Sequence, residues 1–146
     1  MSEPAPPLED LLTAIIDKGN TDNYDLLSKY YPDVVLPYAF YMANEYNYAK
    51  ACHDIYGKIM TVYPLGKKVS EETCNIVMSY LKMGAELGDM SCINSMCTEL
   101  ATGRIVQQDS VLAFHYACIL YRDSVIAERV VSAGIAAGKR LKQMRK

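Results

Sequence analysis

The sequence predicts an all-α fold: a short stack of about eight helices, paired into hairpins and finished by a C-terminal capping helix. Three observations predict it. Apolar residues recur at three- and four-residue spacing, as in Leu8, Leu11, Leu12, Ile15 and Ile16, where an alternation by two would mark strands. The runs are separated by helix-stopping residues (Gly19, Pro32, Pro64, Gly66, Gly88 and Gly103), with Asn20, Ser70, Asp89 and Asp109 each placed to cap the next helix. An internal repeat then appears at an offset of 37 residues. Ile55, Ile59 and Tyr63 fall under Cys92, Met96 and Leu100, while Gly66, Val69 and Glu72 fall under Gly103, Val106 and Asp109.

Taken in order, the first helix begins near Pro7, whose fixed φ suits a first turn, and Glu9 and Asp10 favour its positive end. Gly19 ends it, and Asn20 to Asn23 turn the chain into a short second helix closed by Pro32. A third helix runs from Pro37 to about Asn44, and a break at Glu45 to Asn47 precedes a fourth from Tyr48 to Tyr63. Ser70 caps a fifth, carrying Ile76, Val77, Tyr80, Leu81 and Ala85 up to Gly88. Asp89 caps the sixth, which Gly103 stops. Asp109 opens a seventh that is apolar nearly all round, so that cover on two sides is expected. The eighth, Ser124 to about Gln143, is expected to supply that cover through Ile126, Val130, Ala133, Ala137 and Leu141. Its Gly134 and Gly138 are expected to let it approach the preceding helix closely.

A chain of 146 residues makes one domain with room for a core. Residues 1–34 would hold the N-terminal helices, 35–123 the repeat hairpins, and 124–146 the capping helix and a basic tail. A net charge of -2 argues against a nucleic-acid binder. The longest apolar-dominated run, Val111 to Tyr121, is short of the ~20 residues of a membrane span, and the first residues lack the pattern of a secretory signal. The five cysteines (Cys52, Cys74, Cys92, Cys97 and Cys118) form no CxxC pair and read as small apolar residues of a reducing cytoplasm.

The string Ala85 to Asp89 (AELGD), followed by Gly103 to Asp109 (GRIVQQD), Ala113 and Tyr116, resembles the Sel-one-like repeat, a relative of the tetratricopeptide repeat. The likeness spans about Ala51 to Asp123. Ile105, Cys97 and Leu100 depart from it, standing where that repeat has a loop glycine, a packing glycine and an aromatic. The resemblance implies a right-handed α/α solenoid and a scaffold role in signalling or in bacterial interaction systems.

No HExxH, P-loop, GxGxxG or GxSxG motif is present, and His53 and His115 are the only histidines. No catalytic residue, metal ligand or cofactor is therefore assigned. The expected function is a non-catalytic, cytoplasmic adaptor whose hollow side holds a protein or peptide. In one repeat copy Asp54, Lys58 and Thr61 would face outward, and in the next Ser91, Ser95 and Thr98, with Tyr41 and Tyr48 as aromatic anchors. The alternative is a small helical enzyme or ligand binder with a buried polar site built on His115, Cys118 or Asp109. A third reading is self-association into a homodimer through an uncapped end.

Overall fold

Residues 4–64 and 67–145 are described by a computed structural model. Among them the chain is all-helical: α1 (Leu8–Lys18), α2 (Thr21–Tyr30), α3 (Val35–Tyr46), α4 (Ala49–Met60), α5 (Glu71–Glu86), α6 (Met90–Thr102), α7 (Ser110–Tyr121) and α8 (Ser124–Met144). A single 3-10 turn, Pro32–Val34, leads into α3. Gly66, the expected counterpart of Gly103, lies outside the described residues.

The boundaries follow from local chemistry. The side chains of Asn20, Ser70, Asp89 and Asp109 each accept the N–H three residues ahead, satisfying donors that a helix start leaves unpaired. Asp123 does the same for α8, accepting from Val125 and Ile126. Gly103 closes α6 at φ 69°, a left-handed corner where a Cβ would be strained, and its N–H returns to Glu99 O. Asn47 at φ 51° and Arg122 at φ 52° make the corresponding corners after α3 and α7 without glycine.

Each of the later helices packs on its sequence neighbours, and α4–α6 and α6–α8 touch as well. Thus α4, α6 and α8 lie side by side, with α5 and α7 packed behind them. The core runs the length of the chain, from Leu11 and Ile15 through Met42, Ile55 and Leu81 to Met96, Ala117 and Val131.

Three expectations shift. First, α4 and α6 begin 41 residues apart, at Ala49 and Met90, not 37. Buried positions agree with the longer offset: Ala51 matches Cys92, Cys52 matches Ile93, and Ile55 matches Met96. A column spaced by four matches itself again when slid by one turn, so periodicity alone could not separate 37 from 41. Secondly, α8 is rotated from the expected stripe. Ala127, Val131 and Gly138 are buried, whereas Ile126, Ala133 and Ala137 are exposed. The glycines decide this: a Cβ on Gly134 would meet Ala101, and one on Gly138 would run into the Thr102 carbonyl. The close approach is therefore to α6, not to the preceding helix. Thirdly, α7 packs on α6 and on α8 as expected, yet the cover is incomplete: only Ala113 and Ala117 are buried, and Val111 remains 80 % exposed.

Candidate functional site

The corrected offset changes what the polar residues of α6 do. Under it, Asp54, Lys58 and Thr61 of α4 correspond to Ser95, Glu99 and Thr102 of α6. Those three are the buried polar residues of the described chain. They are covered because α6 is flanked by α4 on one side and α8 on the other.

Asp54, Ser95 and Glu99 are bonded to an earlier helix, whereas Thr102 bonds to Glu99 O within α6. Tyr24 of α2 donates its hydroxyl to Asp54 Oδ2 at 2.6 Å. Beside it Tyr48, at the start of α4, donates to Asp25 Oδ1 at 3.0 Å, which also holds Lys50 at 2.9 Å. The Tyr24 and Tyr48 rings meet edge to face at 5.6 Å. One helix further along, His53 Nε2 stands 3.1 Å from Ser95 Oγ. Tyr56 donates to Glu99 Oε2, and Arg104 closes on the same carboxylate with Nη2 at 2.6 Å and Nε at 3.2 Å. The result is a ladder of side-chain bonds, from α2 to α4 and from α4 to α6.

Burial and the adjoining carboxylates make these phenols hard to ionise. Loss of hydration, reinforced by the hydrogen bond to Asp54, drives Tyr24 far above the ordinary tyrosine range, and burial with Asp25 pushes Tyr48 up to about 12. Tyr56 is raised by burial and by the negative charge of Glu99. Arg104 loses hydration, yet its bonds to Glu99 more than compensate and hold it protonated. Such a network is a fastener, and its charged groups balance one another.

The expected site residues therefore separate. Asp54, Lys58 and Thr61 do come together, lining a shallow depression of about 260 Å³ with His53 and Gly57. Ser91 and Thr98 are exposed on α6, the latter bonded back to Asn94 O at 3.1 Å. Ser95, expected on the surface, is only 8 % exposed beneath His53. Tyr41 sits on α3, where its hydroxyl donates to Ile16 O at 2.8 Å and its ring meets Tyr46. Of the residues in the alternative reading, Asp109 is occupied as the α7 cap. His115 is exposed against the Tyr116 ring, and Cys118 is half-buried.

The Tyr56–Glu99–Arg104 cluster was not anticipated. A signal for it existed: Glu99 is the lone charge in the helix MSCINSMCTELAT. A larger cleft of about 690 Å³ opens beyond it, lined by Lys68, Ser70, Cys74, Arg104 and Arg145 among others. Arg145 crosses the cleft edge to donate to Arg104 O at 3.1 Å. Among the described residues no group of three or more His, Cys, Asp or Glu is arranged to hold a metal ion, and no helix is long and apolar enough to cross a membrane.

Searches against protein-family models, curated proteins and solved structures gave no match to this chain.

Proposed function

We propose that the chain is a non-catalytic interaction module, a right-handed stack of Sel-one-like helical hairpins that holds a protein or peptide along α4 and α6. One observation carries the reading. The depression lined by His53, Asp54, Gly57, Lys58 and Thr61 is open, mixed in charge, and braced by side-chain bonds to α2 and to α6. A surface fixed in advance loses little entropy when a partner settles on it, which favours binding through modest contacts. Lys58, Thr61, Ser91 and Thr98 remain exposed to make those contacts. The tyrosines are braces in this reading, since Tyr41 and Tyr48 commit their hydroxyls internally. The repeat kinship is supported by the AELGD and GRIVQQD strings and by the left-handed corner at Gly103. A reducing cytoplasm suits five free thiols, three of them buried.

Photo-crosslinking in the native host tests it. A photoreactive residue at Lys58 or Thr98 should give a discrete adduct that Lys82 or Glu86, exposed on α5, does not give. Adducts that are absent at Lys58 and Thr98, or identical at all four positions, would refute the assignment.

A further inference from the structure

Several apolar side chains of α7 and α8 are exposed to solvent. Val111 is 80 % exposed, Phe114 37 % and Val125 60 %. Between the two helices runs a groove of about 320 Å³, lined by Ser110, Val111, Phe114, Glu128, Val131, Ser132 and Ile135. Exposed apolar side chains beside a groove with a polar rim are a common feature of interaction sites.

What covers it is indicated by charge and spacing. Along the groove side of α8, Glu128, Ser132, Ile135 and Lys139 succeed one another at four, three and four residues, so they form one stripe. Glu128 and Lys139 are exposed, carry opposite charges, and stand at its two ends. A stripe with an acid at one end, a base at the other and uncharged residues between is complementary to itself when reversed. Laying a second α8 antiparallel puts Glu128 against the second copy's Lys139 and Ser132 against its Ile135, a small residue opposite a large one. Val111 and Phe114 of α7 line the same groove as Val131, Ser132 and Ile135, so they are carried into the same contact. An isologous contact of this type must satisfy every pairing twice, and here each does.

We propose that the chain forms a two-fold dimer through this face, α7 and α8 of two copies making an antiparallel four-helix bundle. The surface along α4 and α6 is separate from it, so the two assignments stand or fall independently.

Sedimentation velocity between about 1 and 100 µM reads the outcome directly. Wild type is expected at twice 16.3 kDa. Val111→Asp places a carboxylate in the first turn of α7, where the helix tolerates it, and should shift the species to monomer with its thermal melt retained. Glu128→Lys and Lys139→Glu should each weaken association about tenfold or more, and the double exchange should restore it. A monomeric wild type at the highest concentration overturns the proposal. So does a dimer that none of these changes affects, or a face that takes an unrelated protein or lipid vesicles in place of a second copy.

Discussion

Arg104 reaches back across the corner at Gly103 and sets its Nη2 2.6 Å from Oε2 of Glu99, a carboxylate that is 1 % exposed. Tyr56 of α4 completes the arrangement from the other side. One ion pair thus ties the end of α6 to its own loop and to the neighbouring helix.

Removing one partner of that pair should cost more than removing both. Arg104→Ala leaves a buried carboxylate with only a phenol beside it and should lower stability by about 3 kcal/mol. The triple change Tyr56→Phe, Glu99→Leu and Arg104→Met should lie closer to wild type. Urea denaturation midpoints compare the two, and equal losses would refute the role given to the ion pair.

Two glycines in helices should respond in opposite directions. Gly138→Ala drives a methyl into the Thr102 carbonyl and should destabilise by about 2 kcal/mol, loosening α8 from α6. Gly57 has open space around the place of a Cβ. Gly57→Ala should therefore stabilise by about 0.5–1 kcal/mol through helix propensity. Thermal melts of the two variants decide it, and a shift of the same sign in both would contradict the packing.

The corner at Arg122 uses a left-handed residue with a Cβ. Arg122→Gly should relieve that conformation and raise stability by about 0.5–1 kcal/mol. Asn47→Gly should gain less, because asparagine tolerates the same geometry better. Paired denaturation curves measure the difference.

Alkaline pH should unfold the protein by a defined route. Tyr24, Tyr48 and Tyr56 are raised above the unfolded tyrosine value of about 10, so at higher pH the folded state holds protons that the unfolded chain has lost. Their stabilisation is complete below about pH 10 and falls as pH rises through that value towards about 12, where Tyr48 ionises in the folded state. In a spectrophotometric titration Tyr24 and Tyr56, two of the 12 tyrosines, should ionise only as helicity is lost. Tyr48→Phe should flatten the decline, and an unchanged slope would remove Tyr48 from the explanation.

The contrast between Asp89 and Glu99 shows which parts of this structure could be read early. Asp89 caps α6 through a bond to an N–H three residues away, so its role was evident from the string GDMSC. Glu99 is one residue from the apolar column of the same helix. Its burial depends on Tyr56, 43 residues earlier, and on the close seat of α8 at Gly138. No local pattern contains that information.

The helical class, the caps at Asn20, Ser70, Asp89 and Asp109, and the stop at Gly103 are all legible in the chain alone. These features arise from hydrogen bonds and dihedral preferences that operate within about four residues. The 41-residue register of α4 and α6, the buried side of α8 and the exposure of Val111 emerge only once the helices are packed. The reason is geometric: an apolar column repeats with every turn, and the neighbouring helix selects which turn, and which side, it meets.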